Sequence, residues 1–190
     1  MRTNHPICYI DYSMISDLTI EKMNIEGLIL LKPKVYNDER GFFMETYNEN
    51  KFSEAGITCK FVQDNHSKST YGVLRGLHHQ IAPYAQAKLV RVIYGEIFDV
   101  AVDIRPNSPT FGKWEAVILS AENKCSLFIP EGFAHGFVVT SKEAEVVYKC
   151  NKLYAPGYEA GINWNDSKLA IKWPVANPII SAKDSTYSPF

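Results

Sequence analysis

The chain has 190 residues, 46% hydrophobic and 22% charged, which suits one domain large enough to bury a substantial core. With 20 basic and 21 acidic residues the formal net charge is −1, leaving no electrostatic footprint for nucleic acid or an anionic membrane. A small anionic ligand stays compatible, because a few arginines facing one cleft need no overall excess of charge. Cys8, Cys59, Cys125 and Cys150 lie far apart with no CxxC pair, so reduced thiols in a cytoplasmic protein are expected, not a zinc site or a disulfide framework.

The first 23 residues, "MRTNHPICYIDYSMISDLTIEKM", lack the long apolar core and small-residue cleavage site of a signal peptide. They read as an irregular N-terminal extension, with Met23 as an alternative start, ahead of a single domain over 24–190. No stretch approaches the ~18 apolar residues of a membrane span. Strand-like text begins with "IEGLILLKPKVYNDERGFFMETY", and "NENKFSEAG" predicts a short helix capped by Asn48 or Asn50 and stopped at Gly56.

From residue 57 strand signals dominate. "KLVRVIYGEIFDVAVDIR" is two apolar runs broken at Gly95, which predicts a hairpin. In its second half Phe98, Val100, Val102 and Ile104 share one face and Asp99 and Asp103 the other. Further strands are expected at 114–119, 126–129, 134–140 and 143–150, separated by turn text such as "RPNSPTFG", "SAENK" and "PEGF". Short strands at such spacing, with 13% aromatic residues, indicate an all-β sandwich or barrel. After 155 the text turns to loops with short helical or extended pieces.

Within "GVLRGLHHQ" two histidines stand side by side. A cupin-type metal site needs imidazoles on one strand face, hence HxH, with a carboxylate soon after. His78 and His79 are adjacent, so a strand turns them to opposite faces, and no metal is expected. Arg75, Lys88, Gln63 and Asn65 nearby place polar donors in otherwise apolar strand text, as a polar-lined pocket requires. On spacing alone His78 reads as an ordinary hydrogen-bonded strand residue, Tyr148 as a core tyrosine and Asp184 as a solvated tail acid.

The blocks "DERGFFMETY", "FVQDNHSKSTYGVLRGLHHQ", "PYAQAKLVRVIYGEIFDVAVDIRPNSPTFGKW", "LSAENKCSLFIPEGFAHGFVV", "YKCNKLYAP" and "WPVANPIISAKD" resemble, in order, the dTDP-4-dehydrorhamnose 3,5-epimerase family over about residues 24–186. The resemblance implies a cupin-like jelly roll with short peripheral helices, a homodimer, and neither metal nor other cofactor. It implies His78 of "RGLHxQ" as base, Asp184 of "SxKD" as the carboxylate orienting it, and Tyr148 of "YK" as acid, with Tyr154 a second pocket tyrosine. Lys88 of "QxKLV" is implied beside the sugar. Ligand contacts are implied at Arg40, Glu45, Gln63, Asp64, Asn65, Arg75 and His135, and at Glu159 and Lys183 towards the nucleotide. The chain departs from the family's pattern in its extra N-terminus and in His79, where tyrosine is usual.

The implied substrate is a nucleoside-diphosphate 4-keto-6-deoxyhexose, whose C3 and C5 protons both lie α to the C4 ketone. Inversion then calls for a base on one face and a proton donor on the other. Imidazole titrates near working pH, a lysine can stabilise charge on O4, and Arg40 and Arg75 are expected to face phosphate. A mono-epimerase on a related sugar shares these residues; a non-catalytic sugar-binding jelly roll has no use for them together.

Overall fold

Residues 12–190 are described in the computed structural model, and they run almost wholly as strands joined by short turns. The chain enters through β1 (Tyr12–Ile15), β2 (Leu18–Lys22), β3 (Ile29–Pro33), β4 (Tyr36–Asp38) and β5 (Gly41–Phe43). After α1 (Glu49–Glu54) come β6 (Gln63–Thr70), β7 (Leu74–Gln80), β8 (Lys88–Tyr94) and β9 (Glu96–Asp103). Next are β10 (Trp114–Ser120), β11 (Ser126–Ile129), β12 (Phe133–Val139), β13 (Glu143–Cys150) and β14 (Glu159–Gly161). A 3-10 turn, Asp184–Thr186, lies near the end.

These strands make the expected cupin-like jelly roll. A seven-stranded sheet in the order β1-β2-β3-β11-β8-β13-β6 faces a five-stranded sheet in the order β10-β9-β12-β7-β14, while β4 and β5 pair only with each other. Every strand pairing is antiparallel. Val90, Val92, Leu127, Ile129 and Val146 of the larger sheet meet Ile97, Ala101, Leu119, Phe133 and Phe137 of the smaller one, all buried.

Both sheets are also covered outside. Phe52 and Ala55 from the α1 region pack with Leu18, Ile20, Leu31, Leu89 and Phe128 on the larger sheet. Asn48 caps α1, its side chain accepting from the Asn50 and Lys51 amides, and Gly56 follows at φ +89°. The segment after β14 covers the smaller sheet, where Ile162 and Leu169 pack with Leu77, Val100, Val102 and Ala134. Among the described residues no helix is long and apolar enough to cross a membrane.

Two expectations are corrected. The text before Met23 is not irregular throughout: β1 and β2 extend the larger sheet, and Leu18 and Ile20 are 5% and 1% exposed. Alternation in "LTIEK" is too brief to stand out, and burial against α1 decides its state; residues 1–11 lie outside the described residues. Gly95 is no hairpin turn, because β8 and β9 belong to different sheets and the chain crosses between layers there. An apolar run broken by glycine marks a corner without saying which strand lies beyond it.

Candidate active site

A cavity of about 510 Å³ is walled by both sheets. On the larger sheet, Lys88 opens β8, Tyr148 and Cys150 alternate along β13, and Gln63 and Asn65 alternate along β6. Register sets Tyr148 opposite Asn65, and Cys150 opposite both Gln63 and Lys88. The same inward face continues into the core as Val146 and Ala144. These strands therefore change from apolar to polar where they leave the core.

The other wall is β7, carrying Arg75, His78 and Gln80. Gly76 permits its close approach to β12: it has φ +137°, and a Cβ there comes within 2.5 Å of Gly136 Cα. Residues from the C-terminal segment, including Lys183, Asp184 and Tyr187, complete the lining, with Tyr154 and Glu159 at its rim.

His78 and Asp184 are joined by a 2.8 Å hydrogen bond between Nε2 and Oδ1. The other carboxylate oxygen accepts from the Gly76 amide at 3.2 Å, and the Asp184 amide donates to Ser181 Oγ at 3.0 Å. A proton on Nε2 satisfies the bond to the carboxylate and leaves the Nδ1 lone pair free. The His78 side chain is 39% exposed and that of Asp184 only 5%, so a ligand can reach the imidazole while the carboxylate stays behind it. Burial pushes the His78 imidazole below its ordinary value, with Asp184 pulling it up.

Across the cavity, burial raises the Tyr148 phenol, which stays a neutral donor well into alkaline pH. Lys88 Nζ lies 6.0 Å from the centre of the Tyr148 ring. Burial lowers this ammonium against the pull of Cys150 and Asp99. A base on one wall, a neutral acid on the other and a cation nearby suit removal and return of a proton beside a carbonyl.

The rim residues are tied to one another. Gln63 accepts from the Tyr154 amide at 2.7 Å and donates to Asn65 at 3.0 Å. Glu159 is ion-paired with Lys183 at 2.7 Å. Arg75, which also lines the cavity, donates through Nε to Ser69 Oγ at 3.0 Å and through a terminal nitrogen to the Lys68 carbonyl at 3.4 Å.

Other candidates lie elsewhere. Asp64 is turned away from the cavity lining and ion-paired with Lys149 at 2.9 Å. His135 is buried on β12, its Nε2 at 2.9 and 3.1 Å from the two oxygens of Asp99, and it does not line the cavity. Arg40 sits in the β4–β5 ribbon, its side chain 86% exposed and paired with Asp38, and Glu45 pairs with Lys51 at 2.9 Å. Both are outside this cavity. His79 borders it, with Nδ1 buried and without a hydrogen-bond partner. Among the described residues no group of three or more His, Cys, Asp or Glu is placed to hold a metal ion.

Four neighbours of the site went unread in the sequence. Cys150 follows Tyr148 by two on one strand face, which strand alternation signals. Gln80, two after His78, is 7% exposed and accepts from the Ala155 amide at 2.8 Å, fastening the rim. The partner of His135, Asp99, carries no local signal, and neither does Tyr187, which the fold returns to His78.

Comparison with known proteins shows the family to which the chain belongs. Residues 22–190 match the family model described as dTDP-4-dehydrorhamnose 3,5-epimerase. The chain is similar to the dTDP-4-dehydrorhamnose 3,5-epimerase of Shigella flexneri, 61% identical over 168 residues, covering 88% of this chain and 93% of that one. It is 56% identical over 171 residues to the enzyme of that name from Methanothermobacter thermautotrophicus, covering 88% and 92%. Among solved structures it is similar to the dTDP-6-deoxy-D-glucose-3,5-epimerase of Legionella pneumophila Philadelphia 1 in complex with dTDP-4-keto-L-rhamnose. There the TM-score is 0.88 and identity 50%, covering 90% of this chain and 92% of that one.

Proposed function

Because the chain belongs to the dTDP-4-dehydrorhamnose 3,5-epimerase family, we propose that His78 and Tyr148 move the protons of its reaction from opposite walls of one cavity. The enzyme epimerises C3 and C5 of dTDP-4-dehydro-6-deoxy-D-glucose to give dTDP-4-dehydro-L-rhamnose. The observation that carries the assignment of roles is the His78–Asp184 hydrogen bond across the cavity from a half-buried tyrosine, Tyr148.

In each half-reaction Nδ1 of His78 takes the proton from the carbon beside the ketone. The electron pair left behind moves onto O4, giving an enolate, and Asp184 holds the imidazolium that forms. Lys88 stabilises the oxyanion; a cation placed in a cavity shielded from water acts strongly because nothing need reorganise. Tyr148 then gives its proton to the opposite face of the carbon. The tyrosinate and the imidazolium return to their starting states by proton exchange with solvent, ready for the second centre. Neither step calls for a cofactor, since the substrate's own ketone acidifies both protons.

Arg75, Gln63, Asn65, Tyr154, Glu159 and Lys183 are the chain's own binding groups around the sugar and nucleotide. Arg40 has a different part. Its ribbon pairs with no other sheet and exposes Phe42 and Phe43 at 58% and 70%. Exposed apolar surface of this kind beside a charged residue suits an interface. In a homodimer, Arg40 and Glu45 then reach the partner's cavity, with Arg40 meeting phosphate. The working form is a cytoplasmic homodimer.

The test is NMR of dTDP-4-keto-6-deoxyglucose with the enzyme in heavy water. Deuterium entering both C3 and C5, with inversion at both, is the expected result. Exchange and inversion confined to one carbon contradicts the double epimerisation, and absence of exchange contradicts catalysis altogether.

A further inference from the structure

The turn that delivers Asp184 also delivers an aromatic ring. Tyr187 follows the 3-10 turn directly and sets its ring edge-on to the His78 imidazole, with centroids 5.7 Å apart and planes at 73°. The residue is half-buried and borders the cavity. On β14, Gly161 is the register partner of His78, and a Cβ on Gly161 comes within 2.4–2.5 Å of three Tyr187 ring atoms. Gly161 is not among the glycines with positive φ, so its backbone does not call for glycine. Its missing side chain makes room for the ring.

We propose that Tyr187 is a positioning residue for the base: its ring, seated in the notch left by Gly161, holds the imidazole in the rotamer that meets Asp184 and keeps water from that side. The proposal rests on His78 being the base. Carboxylate and ring lie three residues apart, one opening the turn and the other just past its end, and both meet the imidazole. A bond to the carboxylate alone lets the imidazole swing about that contact; a second, apolar contact removes the freedom. Because burial is the chief cause holding the imidazole below its ordinary value, a ring that contributes to that burial also keeps the base unprotonated to lower pH.

The test compares Tyr187→Ala, Tyr187→Phe and Gly161→Ala in the full-length enzyme. It uses steady-state kinetics and an NMR titration of the His78 ring, assigned by its loss in His78→Asn. Tyr187→Ala is expected to lower kcat by about 10-fold, inside the 10²-fold that misplacement of a reacting group can cost, with KM changed far less. The His78 titration moves up towards an ordinary imidazole. Tyr187→Phe restores both readouts, because the ring does the holding, and Gly161→Ala reproduces Tyr187→Ala by displacing the ring; it carries the test if Tyr187→Ala does not fold. Unchanged kcat and unchanged His78 titration in the displaced-ring variants overturn the proposal, as does a Phe variant as impaired as Ala. Failure of the base assignment shows separately, as hydrogen exchange persisting in His78→Asn.

Discussion

His78 and Asp184 stand 106 residues apart in the chain and 2.8 Å apart in the fold. Asp184→Asn tests what that bond does. A carboxamide that turns its NH2 to Nε2 moves the imidazole proton to Nδ1 and removes the lone pair that takes the substrate proton. The expected fall in kcat is about 10²- to 10⁴-fold, the range a positioned general base contributes. His78→Asn is expected to abolish exchange as well as inversion while the protein stays folded. Near-normal exchange in that variant moves the base to another residue, with His79 the first to examine.

The pH profile follows from the directions of the two shifts. As the proposed base His78 acts unprotonated, and its value is lowered, so the acid limb of kcat/KM is expected below the usual imidazole value of about 6.5. In its proposed role Lys88 acts protonated, and its value is lowered too, so the basic limb is expected below the usual lysine value of about 10.4. Tyr148 is raised and stays protonated across this range, so the basic limb belongs to Lys88. Lys88→Arg is expected to push that limb out of reach. A basic limb that stays in place in the arginine variant assigns it elsewhere.

Arg40 and His78 belong to different halves of one working site if the ribbon crosses between subunits. Arg40→Ala is then expected to raise KM, and a mixture of Arg40→Ala and His78→Asn subunits, allowed to exchange, regains activity with a normal KM. In each mixed dimer both lesions fall in one site and the other is whole. A mixture no better than the sum of its parents places Arg40 beside the His78 of its own chain, or outside the site.

The N-terminal strands are part of the fold, and Ile20 measures how much. It is 1% exposed and packs with Leu18, Phe52 and Ile57. Ile20→Ala is expected to destabilise the protein by about 2–4 kcal/mol through lost burial and a residual cavity. Removal of residues 1–22 takes both strands and lowers the melting temperature further. A truncated chain that melts with the full one shows that β1 and β2 add nothing to stability.

What could be read from the chain, and what could not, divides along physical lines. Strand text from 114 to 150 was legible because alternation and turn residues are local, and strands formed within a residue or so of the expected bounds. His78, Lys88 and Tyr148 share the cavity that their motifs suggested. Asp99 and His135 were not legible as a pair, because alternation says which residues share a face but not that the face lies inside a sandwich. The crossing at Gly95 and the place of β2 depend on which strands pair, a tertiary fact with no local trace. Arg40 and Glu45 matched a motif, yet position in one chain keeps them from its cavity.

Tyr148→Phe in heavy water tests the central claim, a base and an acid on opposite walls. The variant keeps the ring packing and loses only the donor. His78 still removes the proton, Lys88 still stabilises the enolate, and His78, once its proton has exchanged with solvent, returns deuterium to the face the proton left. Exchange without inversion is expected to persist while inverted product falls by about 10²-fold or more. If exchange and inversion decline in parallel, Tyr148 is not the opposite-face acid, and if neither declines, another donor holds that role.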